Sequence, residues 1–128
     1  MATRSIIRIK NGDSVYCHWD GYPSNNGKLL LGHFNKTRKI KKLLDLGDLS
    51  SLDKRIRPTK EHSHDQPQQH VTVAYHRDRG EEYRQSNTDT MAYVDYIYEW
   101  DGSRWFVYGV DGDNPVLLTK KIVEEVEY

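Results

Sequence analysis

Residues 93–110 constrain the fold more than any other stretch. Val94, Tyr96, Tyr98 and Trp100 fall on one side and Asp95, Ile97 and Glu99 on the other, the two-residue period of a strand. Asp101-Gly102 supplies a tight turn, and Arg104 to Val110 continues in strand-type residues. The pattern predicts a hairpin with one strongly aromatic face, and a sheet protein around it.

The rest of the chain is read against that hairpin. Residues 4–10 and 14–20 predict a second one, turned by Asn11-Gly12, the strongest short hairpin signal. Residues 21–27 read as a loop by composition, and 28–34 as a short helix. A helix near 36–46, capped by Asn35 and stopped by Gly47, places Ile40, Leu43, Leu44 and Leu46 on one face. Asp48 to Leu52 reads as a further helical turn or cap, and 56–70 as a long surface loop. Val71 to His76 reads as a strand, Asp111 to Pro115 as a turn and 119–126 as a short helix. The expectation is an α+β fold in a single domain, 1–128: an antiparallel sheet built from hairpins, with one or two helices after the first hairpin.

The mean hydropathy of −0.87 is low for a folded domain, but 14 of the 128 residues are Trp, Tyr or Phe. Large rings bury area while keeping a polar handle. They predict an aromatic-rich shallow core, or one completed by self-association. The lone Cys17 excludes an internal disulfide, and no apolar run approaches a membrane span, so a reducing cytoplasm is expected. Charge is segregated. Residues 1–60 hold 13 Lys and Arg against 5 Asp and Glu, a balance of +8, and residues 61–128 carry −8. A basic half invites an anionic partner, unless one half neutralises the other within the chain or between subunits.

Two stretches could carry binding chemistry. In Tyr16-Cys17-His18-Trp19-Asp20-Gly21-Tyr22-Pro23, the rings of Trp19 and Tyr22 suit stacking on a base, while His18 and Asp20 suit its polar edges. The plainer reading is a strand with core aromatics and an Asp-Gly turn. In Tyr75-His76-Arg77-Asp78-Arg79-Gly80-Glu81, Tyr75 adds a ring, and Arg77 and Arg79 can clamp phosphate oxygens. Gly80 can let backbone amides approach an anion, and Arg4 can add a third cation. The plainer reading there is a solvated loop of paired charges. His18 follows Cys17 directly, so on a strand the two point to opposite faces and His18 is no base for the thiol; a buried, inert Cys17 is expected. His62, His64, Asp65 and His70 are metal-capable but read as a polar loop, and Asp111-Gly112-Asp113-Asn114 lacks the later glutamate of a calcium loop. No phosphate-loop, hydrolase-elbow, zincin or dinucleotide fingerprint is present in the sequence.

As an ordered set, Met1-Ala2-Thr3-Arg4-Ser5, Tyr16 to Tyr22, Leu46-Gly47-Asp48-Leu49-Ser50-Ser51-Leu52 and Arg77-Asp78-Arg79-Gly80-Glu81 resemble a widespread family of small phage and prophage proteins. The resemblance covers about the first 85 residues and implies a phage origin, with the host cytoplasm as the place of action. Phage proteins of this size include the sponges that sequester cyclic nucleotide immune signals of the Thoeris and CBASS type. These are non-enzymatic oligomers that hold phosphates with arginines and bases with aromatics. The expectation is therefore a non-enzymatic, homo-oligomeric anti-defence protein that takes up a cyclic nucleotide or cyclic ADP-ribose signal. It would need no cofactor and would use Arg4, His18, Trp19, Asp20, Tyr22, Tyr75, Arg77, Arg79 and Gly80. The alternatives are a protein-binding inhibitor of a host defence complex and a nucleic-acid-binding accessory protein.

Overall fold

A computed structural model describes residues 2–56, 71–87 and 93–125. Strands β1 (Ser5–Ile9) and β2 (Ser14–Cys17) form the first hairpin. Asn11 takes the left-handed conformation in its turn, at φ 60°, and the amide of Gly12 closes onto the Ile9 carbonyl. A π-helical turn over Pro23–Gly27, where a loop is predicted, then runs into α1 (Lys28–His33). Helix α2 follows (Thr37–Leu44), then β3 (Leu49–Ser51), β4 (Val73–Ala74) and α3 (Tyr75–Arg79). The aromatic hairpin is β5 (Tyr96–Trp100) and β6 (Trp105–Asp111), and β7 (Asn114–Leu117) and α4 (Lys120–Glu125) end the described chain.

Among the described residues seven strands make one sheet, in the order β4-β3-β2-β1-β5-β6-β7. The α+β class stands, but the sheet is mixed and not purely antiparallel. β1 and β5 pair in parallel from Ser5↔Tyr96 to Ile9↔Trp100, and β2 meets β3 in parallel at Cys17↔Leu49. The reason is connectivity. The two hairpins lie side by side rather than end to end, joined by a long crossover that a parallel pair requires. Nor do all helices follow the first hairpin directly: α1 and α2 do, while α3 and α4 come later.

Several local expectations are corrected. Asp48 to Leu52 is not helical, since Leu49–Ser51 extends to pair with β2 and β4. The strand expected over Val71 to His76 lasts only through Ala74, after which Tyr75–Arg79 is helical. Asp78 stabilises this switch by accepting a hydrogen bond from the Ala74 amide at 2.8 Å, in the manner of a first-turn acid. Asn35 does not cap α2; its amide donates back to the Leu31 carbonyl, and Lys36 holds the cap position. Asn114 and Pro115, predicted as turn, begin an edge strand. Gly47 does end the α2 region, at φ 79°.

One face of the sheet carries the core. Ile7, Val15, Cys17, Tyr96, Tyr98, Trp100, Trp105 and Val107 pack against Leu30 and Phe34 of the α1 region, Ile40, Leu43 and Leu44 of α2, and Val123 of α4. The aromatic alternation of 96–100 therefore faces the helices, as the period predicts. Val94 is the exception, packing with Ile6 and Ile97 on the opposite face. That face also holds Tyr16, Tyr108 and an Arg8–Glu99 ion pair at 3.0 Å, with the Arg8 guanidinium over the Tyr108 ring.

The turn after β2 is locked by close approach. Gly21 donates its amide to the Thr3 carbonyl and accepts the Tyr98 hydroxyl at 2.6 Å. A Cβ at position 21 would lie 2.8 Å from the Thr3 oxygen and 2.9 Å from the Ser5 Cβ. Gly21→Ala should therefore lower stability by about 2 kcal/mol through forced backbone movement, read as a lower thermal midpoint.

Candidate functional site

Strand β2 sends alternate side chains to opposite faces, and this separates Cys17 from its neighbours. Cys17 is fully buried, with its sulfur against the Asn26 amide at 3.4 Å. Burial pushes the thiol up to about 12. A neutral thiol there should resist alkylation at pH 8 until the protein unfolds, as followed by mass spectrometry. The same shift has a stability consequence. The folded thiol ionises at a higher pH than an unfolded one near 8.5–9, so its contribution is full below that range and declines as pH rises toward 12.

Tyr16, on the other side of the strand, is the point where the two candidate stretches meet. Its hydroxyl shares a 2.7 Å hydrogen bond with Nδ1 of His18, and the imidazole and the Trp19 ring system meet edge to face with ring centres 4.7 Å apart. Burial raises the Tyr16 phenol; the nearby Arg4 guanidinium acts in the opposite sense, and Tyr75 and Asp48 reinforce the rise. Arg4, Tyr75 and Asp48 are thus each within electrostatic reach of Tyr16, and His18 is bonded to it. Trp19 is 45% exposed, whereas Trp100 and Trp105 are buried. Arg4 is anchored through its backbone, donating to the Asp95 carboxylate and accepting the amides of Asp95 and Tyr96. Its exposed guanidinium has no ion-pair partner among the described residues.

Asp48 fixes this arrangement. Its Oδ1 accepts the amides of Tyr16 at 3.0 Å and Ser86 at 2.8 Å, its other oxygen takes the Ser86 hydroxyl, and its carbonyl receives the Tyr75 amide. The carboxylate thus joins β2 to the segment 81–87, and the backbone carbonyl of the same residue holds the start of α3. A cleft of about 320 Å³ opens beside it, lined by Asp48, Tyr75, His76, Glu81, Glu82 and Arg84. His76 donates from Nδ1 to the Glu81 carbonyl at 2.8 Å, because a carbonyl can only accept, and its ring meets Tyr83 edge-on. Glu82 and Arg84 pair at 3.2 Å.

The remaining expected site residues divide into two sets. Arg79 lies over the Tyr75 ring, 5.6 Å from its centre, in an exposed position. Arg77 is engaged within the fold: its guanidinium holds both oxygens of Asp78 and donates to the carbonyls of Ile56 and Thr72 at 2.6 and 2.8 Å. Gly80 ends α3 in the left-handed conformation at φ 67°, with its amide bonded to the His76 carbonyl. Asp20 adopts φ 56°, and burial and then the Asp20 carboxylate raise the Tyr22 phenol. Arg77 and Gly80 therefore shape the fold around α3; of the expected residues Tyr75 lines the cleft, Arg79 lies over its ring, Arg4 and His18 stand around Tyr16, and Trp19 packs on His18 outside the cleft lining.

Sequence reading missed Asp48, Glu82 and Arg84, and gave no binding role to His76 and Glu81 within the second stretch. The available signal was the pair of backbone-rich stretches around Gly47-Asp48 and Gly80-Glu81, but only folding sets them side by side. The metal-capable His62, His64, Asp65 and His70 lie outside the described residues. Among the described residues no cluster of three His, Cys, Asp or Glu is placed to hold a metal, and no helix is long and apolar enough to cross a membrane. Compared with protein-family models, curated proteins and solved structures, the chain matches none.

Proposed function

We propose that the chain is a phage-encoded binding protein that captures a cyclic nucleotide or cyclic ADP-ribose immune signal in the host cytoplasm and holds it without cleaving it. The observation that carries this reading is the junction at Tyr16. Tyr75, which lines a cleft of about 320 Å³ and carries the exposed Arg79 guanidinium over its ring, lies within electrostatic reach of Tyr16, and Tyr16 in turn has Arg4 nearby and bonds His18, on which the exposed indole of Trp19 packs. That volume is in the range of small-ligand pockets. Trp19 and Tyr75 offer stacking surfaces, Arg4 and Arg79 suit phosphate oxygens, and the Glu81 carboxylate suits the amino edge of a base. Self-association would bring two such sites together, so a homo-oligomer belongs to the same proposal. The exposed Tyr83 and Tyr93 favour one alternative, a protein-binding inhibitor of a host complex, since exposed aromatics are common interface anchors.

Thermal unfolding against a panel of cyclic di- and trinucleotides and cyclic ADP-ribose isomers tests the reading. A ligand at a hundred times its Kd adds about 2.7 kcal/mol to the folded state and raises the midpoint. Arg4→Gln with Arg79→Gln should abolish that shift while leaving the unliganded midpoint near wild type, because neither guanidinium bonds within the described fold. The same ligand should shield Trp19, the exposed indole, from a fluorescence quencher, and heating should release it unchanged. No shift across the panel would overturn the proposal, as would wild-type affinity in the double variant.

A further inference from the structure

The charge segregation of the sequence survives folding. Residues 28–44 contain six Lys and Arg and no Asp or Glu. Helix α2 buries Ile40, Leu43 and Leu44 against the sheet. The opposite side is left to Arg38, Lys41 and Lys42, with Lys36 at the helix start; all four are exposed. Lys39 differs, because its ammonium bonds the His33 carbonyl and sits over the Phe34 ring. Among the described residues the ion pairs are Arg8–Glu99, Arg77–Asp78 and Arg84–Glu82, and none draws on α2. The acidic half therefore does not neutralise this helix within the described chain. Asp45 ends the helix, the segment 81–87 with Glu81 and Glu82 meets that end through Gln85 on the Leu44 carbonyl and Tyr83 on the Asp45 carbonyl, and Asp101 follows the Trp100 that bonds Thr37. Asp101 is already engaged by the amides of Ser103 and Arg104, which lower its pKa.

We propose that the exposed face of α2 is a contact surface for the sugar–phosphate backbone of duplex nucleic acid, separate from the cleft beside Tyr75. Two observations select this partner. Arg38 and Lys42 are one turn apart, so their side chains emerge as neighbours and can meet successive phosphates. None of the exposed large hydrophobic residues, Trp19, Tyr83, Tyr93, Val110 and Leu117, belongs to this helix, so the face lacks the apolar anchor that a protein partner needs. For the same reason it lacks the stacking platform of a single-strand binder. A face of cations alone fits a regular line of phosphates and reads no sequence.

The test is fluorescence anisotropy of the full chain with labelled duplex DNA of unrelated sequences at 50 to 200 mM salt. Four released counterions give a log–log slope of about −3.6, roughly a hundredfold weakening across that range, for every sequence alike. Lys41→Gln with Lys42→Gln should halve the slope to about −1.8, and adding Lys36→Gln and Arg38→Gln should remove binding. All four side chains are exposed, so the thermal midpoint should stay near wild type and report that the variants are folded. Absence of duplex binding at 50 mM salt overturns the proposal, as does an unchanged slope in the variants or tighter binding to single strands. A salt-sensitive dimer that the same substitutions dissociate, without duplex binding, would assign the face to a second copy instead.

Discussion

Trp105→Ala should be the most destabilising single core change, costing about 4 kcal/mol and lowering the thermal midpoint by about 15 °C. Trp105 is 1% exposed and packs at a tilt on Trp100 with ring centres 5.4 Å apart. Its indole N–H donates at 2.8 Å to the carbonyl of Phe34, the residue that ends α1. Alanine would open a cavity and leave that helix-end carbonyl without its buried donor. Trp105→Phe isolates the second effect, because it keeps much of the ring and removes the donor; a loss of about 1.5–2 kcal/mol is expected. Equal midpoints for the phenylalanine variant and the wild type would show that the hydrogen bond contributes nothing. The partner indole has a matching role, since Trp100 donates to the Thr37 hydroxyl at the start of α2. The aromatic hairpin thus holds one end of each of the first two helices.

Asp48→Ala should cost about 3 kcal/mol, because it removes one acceptor from two backbone amides and a hydroxyl at once. Asp48→Asn retains a carbonyl oxygen for the two amides, and its new amino group can donate to the Ser86 hydroxyl, so a loss of about 1 kcal/mol is expected. Hydrogen exchange gives a readout that global stability alone does not move. The Tyr16 and Ser86 amides should lose protection in the alanine variant by more than the rest of the sheet does. Uniform loss across the sheet would show that Asp48 acts only through overall stability. The ordering alanine, asparagine, wild type should also appear in binding at the cleft, since the carboxylate ties the Tyr16 amide of β2 to Ser86 in the segment whose Glu81, Glu82 and Arg84 line it.

Much of the local structure was legible in the sequence where one physical cause dominates. Asn11-Gly12 could only be a tight turn, and the two-residue period from Tyr96 to Trp100 placed those rings on the core face. The helical spacing of Ile40, Leu43 and Leu44 put α2 on the sheet, and the same spacing exposed its lysines. The neutral, buried state of Cys17 followed from its place beside His18 in a strand. Short segments of mixed propensity were not legible. Leu49–Ser51 is a strand because β2 offers it a hydrogen-bonding edge, and Tyr75–Arg79 is helical because Asp78 and the Gly80 turn close it.

The site shows the same division. The residue types at 16–22 and 75–81 were visible as ring-bearing and cationic, so the chemistry on offer was read from the chain. Which of them serve the fold was not. Arg77 and Arg79 are two residues apart and chemically identical, yet one guanidinium is tied to Ile56, Thr72 and Asp78 while the other lies exposed over Tyr75. That difference depends on carbonyls distant in sequence. The parallel pairing of β1 with β5 likewise depends on where a long crossover returns the chain. Turns, periodicities and charge could be read along the chain, because these arise between near neighbours. Strand order, the role of Asp48 and the approach of the two stretches at Tyr16 came with folding, because those arise from contacts that no local pattern encodes.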